Sequence, residues 1–212
     1  MPGSYLTFEI DYPVPPVANR ARRDGRAITF GCLASQYKIT NQVIAAWCEI
    51  LRQVPESSLI LANAALSSEE NRQFVARLFE ERSISPPRVV LRGGVDHYRF
   101  LRIYDEIDIA LDTFPYNGGT TTTEAIWQGV PVVTFAGDRW VSRTSASILR
   151  AGGLGRFVAD DIPGYVSLAV ALAPEDLAEL RASMRCRLRE APVCDTASFA
   201  KIMERLYRDL PV

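Results

Sequence analysis

The stretch IDIALDTFPYNGGTTTTEAIWQGVPVVTF, residues 107–135, decides the fold. Ile107-Asp-Ile-Ala-Leu111 is short and mostly apolar, as a buried strand is. Pro115, Asn117, Gly118 and Gly119 then break the chain into a loop. Thr121 to Gln128 reads as a helix ended by Gly129, and Val130 to Phe135 reads as the next strand. Strand, loop, helix and strand in this order form a crossover unit, which joins parallel neighbours.

The same alternation extends outwards. Residues 28–33, 57–62 and 88–91 read as strands, and 156–159 as a short sixth one. Helical spacing of apolar residues marks Asn41 to Val54, with Val43, Ile44, Trp47, Ile50, Leu51 and Val54 on one face. Ser67 to Glu81 is a second helix, with Ser68 as N-cap and Glu69 and Glu70 in its first turn. Further helices are expected over 96–105, 142–150, 164–172, 175–190 and 196–209, with Gly152 and Gly153 closing the second of these. Strands that are apolar without alternation imply a parallel sheet covered on both faces, an α/β architecture of Rossmann-like type. Such sheets bind ligands beyond the carboxyl ends of their strands, which points to the loops after residues 33, 91, 111 and 135.

Residues 1–27 are read as a connector, and 28–212 as the folded lobe. Pro13, Pro15 and Pro16 punctuate the connector, and Arg20, Arg22, Arg23 and Arg26 follow. Such a stretch is a poor core former and is expected to run over a surface. The formal net charge of -1 gives no basic field for nucleic acid or an anionic membrane. No apolar run is long enough to span a bilayer. Cys32, Cys48, Cys186 and Cys194 form no C-x-x-C pair and His97 is the single histidine, so no metal site is expected. Scattered cysteines without a secretion signal read as reduced thiols of a cytoplasmic protein.

Two readings of the threonine run stand side by side. Thr121-x-x-Glu124 fits a capping box, in which the threonine caps the helix and the glutamate reaches back. Four successive threonines behind Gly118 and Gly119 exceed what a cap requires. The glycines would let a ligand approach the backbone, and a helix start offers free N–H groups and partial positive charge to a diphosphate. Asp112 and Asn117 bracket the loop and suit turn formation.

Residues 108–149, DIALDTFPYNGGTTTTEAIWQGVPVVTFAGDRWVSRTSASIL, resemble the donor-binding segment of the O-GlcNAc transferase/SPINDLY family. GSYLTFEIDYPVPPV (3–17) resembles the connector entering that lobe, ITFGCLASQYKIT (28–40) its first strand and lysine loop, and APVCDTASFAKIMERLY (191–207) its closing helix. The resemblance implies the C-terminal lobe of a GT-B glycosyltransferase that transfers a sugar, with inversion, from a nucleotide donor to a protein Ser or Thr hydroxyl. UDP-GlcNAc is the implied donor, with a GDP-sugar as the other candidate, and no separate cofactor is implied. The family's N-terminal catalytic lobe, its tetratricopeptide repeats and its proposed catalytic histidine all precede the matched region. Activity is therefore expected to need that lobe as a partner. A non-catalytic nucleotide-binding or scaffold domain is the rival reading, motivated by the unmatched half.

On the same resemblance, Lys38 falls on the diphosphate-contacting lysine and is the catalytic candidate. Thr120 and Thr121 match threonines that bind phosphate oxygens. Gly119 stands where some members carry a histidine, so that contact passes to backbone. Glu124 matches an acid that binds ribose hydroxyls, a task suited to a carboxylate. Gln36 is a further contact candidate, although the family's polar residue in that loop aligns closer to Ser35. The sequence departs from the family where many members have a histidine eight residues before Asp108: Phe100 stands there. His97 lies one helical turn earlier and is either a replacement facing the same way or a surface histidine near a helix start. Arg143 matches a recurrent arginine that either braces its loop or faces the sugar side. Tyr104 is expected to pack.

Overall fold

The computed structural model describes residues 4–18 and 27–210; the expected arginine run at Arg20, Arg22, Arg23 and Arg26 lies outside them. Six strands form one sheet: β1 (Thr29–Cys32), β2 (Ser58–Ala62), β3 (Val89–Arg92), β4 (Ile109–Leu111), β5 (Val132–Phe135) and β6 (Val158–Ala159). Their order is β3-β2-β1-β4-β5-β6 and every pairing is parallel. This is the Rossmann-like arrangement expected from the alternation. The helices are α1 (Asn41–Gln53), α2 (Glu69–Glu80), α3 (His97–Arg102), α4 (Thr120–Trp127), α5 (Thr144–Ala151), α6 (Ile162–Leu172), α7 (Ala178–Glu190) and α8 (Thr196–Arg208).

The core follows from the apolar strands. Phe30, Leu59, Leu61, Ile109 and Val133 of the sheet are buried in one core with Ile44, Trp47 and Ile50 of α1 and Ile126 of α4. Ser68 caps α2 by accepting from the Asn71 amide, and Thr40 caps α1 by accepting from Val43. Chain order reverses between β1 and β4: β1 continues towards β2 on one side, and β4 towards β5 on the other. The loops after β1 and β4 therefore diverge, leaving a crevice at the carboxyl edge.

Several boundaries differ from expectation. The helix expected over 96–105 is α3 followed by a tighter 3-10 turn, Ile103–Glu106. The helix expected from residue 142 starts at Thr144, because Trp140–Ser142 form a separate 3-10 turn. Gly153 closes it with φ +71°, a left-handed conformation that suits glycine.

The connector does not simply run over the surface. Leu6, Phe8, Ile10, Tyr12 and Val14 pack against the core, while Glu9, Asp11 and Pro13 are exposed. The Phe8 amide donates to the Val193 carbonyl at 3.0 Å, and Arg185 donates to the Pro15 carbonyl at 3.0 Å. Alternation every second residue pins an extended strap to the lobe.

Candidate functional site

The loop from Asp112 to Gly119 is built on one buried carboxylate. Asp112 Oδ1 accepts from the amides of Thr113 (2.9 Å) and Gly118 (2.7 Å), and Oδ2 accepts from the Thr134 hydroxyl (2.7 Å). Burial raises its pKa, and the bonds from Gly118, Ser145, Thr134 and Thr113 oppose that rise. Asn117 Nδ2 donates to the Thr113 carbonyl at 2.8 Å. These are the turn-forming roles expected of Asp112 and Asn117. A buried relay holds the loop from below: Trp47 Nε1 donates to the Tyr165 hydroxyl (3.0 Å), which donates to the Asp112 carbonyl (3.0 Å).

Gly118 serves packing. A Cβ there would lie 2.4 Å from Thr122 Oγ1 and 2.9 Å from Thr121 Oγ1, so the close approach is by the protein's own helix. At Gly119 a Cβ would meet only Thr144 Cγ2, at 3.8 Å, leaving space for a ligand.

The capping box does not form. Gly119 is the N-cap of α4, the helix begins at Thr120, and no side chain caps it. Thr121 is thus already inside the first turn, where its own backbone is helical and its side chain cannot reach forward as a cap. Glu124 turns elsewhere: its Oε1 lies 2.8 Å from His97 Nε2. The glutamate is 5% exposed and the histidine 51%. Burial raises the Glu124 pKa and the His97 bond pulls it back. His97 is therefore not an unengaged surface histidine. Its ring lies 5.0 Å from that of Tyr12, on the strap, and 6.5 Å from that of Phe100.

The four threonines divide. Thr122 is buried against the Ser145 hydroxyl at 2.8 Å, and Thr123 donates to the Thr120 carbonyl at 2.8 Å. Thr120 is exposed and Thr121 half-buried at the helix mouth. Tyr104 packs as expected, with its hydroxyl donating to the Thr121 carbonyl at 3.0 Å.

Lys38, at the end of a 3-10 turn (Gln36–Lys38), reaches across the crevice. Its Nζ donates to the Asn117 carbonyl at 2.8 Å and stands 3.9 Å from the centroid of the Tyr116 ring. The fold thereby joins the lysine loop to the loop that opens α4, and the Thr40 hydroxyl donates to the Phe114 carbonyl nearby (3.4 Å). Gln36 is engaged differently, accepting from Asn63 Nδ2 at 3.4 Å. Arg143 donates from Nε to the Gly137 carbonyl at 2.8 Å and so braces its own loop.

Sequence reasoning did not single out Tyr12, Tyr37 or Tyr116. The alternation Leu6, Phe8, Ile10, Tyr12, Val14 is a legible signal for the first. No spacing signals the contact between Lys38 and Tyr116. A large cleft of about 1400 Å³ opens beside the loop after β5, between α5 and α7, and is lined by Gly137, Arg143, Arg150, Leu154, Met184 and Leu188.

Comparison with known proteins agrees with this fold. The profile of glycosyl transferase family 41 matches residues 17–203. A probable UDP-N-acetylglucosamine–peptide N-acetylglucosaminyltransferase SPINDLY of Oryza sativa subsp. japonica is 36% identical over 99% of this chain, which spans 23% of that relative's length. The UDP-N-acetylglucosamine–peptide N-acetylglucosaminyltransferase of Caenorhabditis elegans is 31% identical over 85% of this chain and 16% of its own length. Among solved structures, a mutant O-GlcNAc transferase of Thermobaculum terrenum superposes with a TM-score of 0.81 at 33% identity, over 92% of this chain and 38% of that one.

Proposed function

This chain belongs to glycosyl transferase family 41, and from that premise we propose that it is the nucleotide-sugar-binding lobe of an inverting protein O-glycosyltransferase. The donor is a UDP-sugar, UDP-N-acetylglucosamine by the relatives' names, and the acceptor is a Ser or Thr hydroxyl of a protein. An N-terminal lobe completes the cleft, and the protein works in the cytoplasm. Among the described residues no helix is long and apolar enough to cross a membrane.

One observation carries this reading: Lys38 Nζ is bonded to the loop that opens an uncapped helix, with Thr120 and Thr121 at its mouth. Free amides, hydroxyls and an ammonium group converge where a diphosphate would sit. Glu124 faces the same helix turn and serves the ribose hydroxyls, exchanging its bond to His97 for bonds to the sugar.

In the transfer step the acceptor hydroxyl gives up its proton to a base outside this lobe, its oxygen bonds to the anomeric carbon, and the bond from that carbon to the diphosphate breaks. Negative charge grows on the departing diphosphate. Lys38 and the start of α4 oppose it, and a contact that strengthens as charge develops accelerates the step.

Titration calorimetry of this chain with UDP and GDP tests the reading. UDP is expected to bind; binding of neither nucleotide overturns it. Lys38→Ala, in a protein carrying both lobes, is expected to lower kcat by about 10²–10³-fold. Lys38→Arg should restore activity only in part, because the guanidinium is wider and its charge more diffuse. Normal turnover at saturation by the alanine variant would reduce Lys38 to a binding residue.

A further inference from the structure

We infer that Tyr116 is a positioning residue for Lys38, holding the ammonium group at the mouth of α4 before any anion arrives. This rests on the reading of Lys38 as the diphosphate's cation and adds how its charge is aimed. A lysine side chain has a flexible four-carbon stem, and a free one spreads its charge over many rotamers. Here two groups from successive residues fix the end of that stem. The Asn117 carbonyl takes one N–H at 2.8 Å, and the Tyr116 ring lies 3.9 Å away, inside cation–π range.

The chemistry of the two holders matters. Among the described residues no carboxylate pairs with Lys38. Asp112, in the same loop, is buried and already accepts from Thr113, Gly118 and Thr134. A carbonyl and a ring face orient a cation without cancelling its charge, whereas a carboxylate would neutralise it. An ammonium group has three donors, so a free N–H remains for a phosphate oxygen.

Tyr116 is 46% exposed and Tyr37, beside Lys38 in sequence, is 72% exposed. The two rings are 6.1 Å apart and tilted by 57°. Neither ring is in the core, so the core does not account for an aromatic residue at position 116. Its ring lies against the Lys38 ammonium group and near the Tyr37 ring. A ring at residue 116 limits where the Lys38 ammonium group can go.

The experiment is a double-mutant cycle read by UDP titration: wild type, Tyr116→Leu, Tyr116→Phe, Lys38→Met and Lys38→Met/Tyr116→Leu. Tyr116→Leu is expected to weaken UDP roughly two- to five-fold, the scale of an exposed cation–π contact. Tyr116→Phe keeps the ring face and should bind as wild type does. In the Lys38→Met background Tyr116→Leu should have no further effect. Proton NMR of the nucleotide-free chain gives a second readout. The Lys38 ε-methylene protons should be shifted upfield by the ring in wild type and Tyr116→Phe, and should return to ordinary values in Tyr116→Leu. An equal loss of affinity in both lysine backgrounds would mean that Tyr116 meets the nucleotide directly, and would overturn the positioning role. So would unchanged affinity in Tyr116→Leu, or an ordinary ε-methylene shift in wild type. If the wild-type chain binds no nucleotide, or if Lys38→Met binds UDP as wild type does, the reading of Lys38 falls and the positioning role falls with it. If Lys38→Met weakens binding and Tyr116→Leu does not, the positioning role alone fails.

Discussion

The segment from Asp112 to Glu124 has an inner side and an outer side, and their residues alternate within a few positions of sequence. Asp112, Asn117, Gly118 and Thr122 face inwards, are buried, and bond to one another or to Thr113, Thr134 and Ser145. Tyr116 and Thr120 face outwards and are exposed, and Gly119 and Thr121 lie between the two extremes. One short stretch thus carries both a scaffold and a binding surface. From Thr120 onwards successive residues of the helix turn by about 100°, so that Thr120 and Thr122 face different surroundings. Runs of like residues, such as Thr120 to Thr123, should not be assigned one role.

Four experiments test this division. The largest effect is expected on the inner side. Asp112→Ala strands two buried amides and the Thr134 hydroxyl. Its cost should be about 3 kcal/mol or more in denaturant unfolding, at roughly 1–3 kcal/mol for each unsatisfied group. A loss below 1 kcal/mol would show that the loop stands without its carboxylate.

Next comes the pair of glycines. Gly118→Ala forces a methyl group against Thr122, Thr121 and Asp112, and should destabilise by about 1–3 kcal/mol, as overpacking does. Gly119→Ala meets only Thr144 Cγ2, at an ordinary contact distance of 3.8 Å, and should change stability by less than about 0.5 kcal/mol. Equal effects on thermal melting would erase the difference between the two sides.

On the outer side, changing Thr120 and Thr121 together to Val keeps volume and removes two hydroxyls. UDP affinity should fall at least about tenfold, since hydrogen bonds to a charged group are worth roughly 1.5–3 kcal/mol each. The melting temperature should hold. Unchanged affinity with a lower melting temperature would place both threonines in the scaffold.

The smallest effect belongs to Glu124, which is buried but bonded to exposed His97. Its carboxyl pKa is raised by burial despite the opposing His97 bond. A carboxyl with a raised folded pKa binds protons more tightly in the native state. Its contribution to stability is therefore greatest at low pH and declines as pH rises through the interval above the ordinary glutamate value. Glu124→Gln lacks that titration. Wild type should lose stability relative to the variant as pH rises above about pH 4, near the ordinary glutamate value. A flat difference over this range would mean that the His97 bond fully offsets burial.

Much of the molecule is legible in its sequence. Every strand from Thr29 to Ala159 and every helix falls where apolar spacing and Gly, Pro and Asn punctuation put it, within a few residues. The loop after β4 is legible as the site-bearing one for the same reason, since its turn residues and the helix behind it are neighbours in the chain. Backbone geometry of this kind is set by local sterics and by which side of an element is apolar, and both act over a few residues.

What tertiary structure decided is of longer range. Thr121 looks like a cap in sequence, yet the helix starts one residue earlier and Glu124 is drawn to His97, 27 residues away in sequence. Lys38 meets Asn117 across 79 residues because parallel crossovers bring the ends of β1 and β4 side by side. The Tyr116 ring beneath it has no periodicity or motif to announce it. The strap was written as plain alternation from Leu6 to Val14, but its partners at Val193 and Arg185 are known only once the closing helices have folded back. Local sterics choose strand, turn and helix; which side chains then share a crevice depends on the order in which the strands are laid down, and no short window of sequence contains that order.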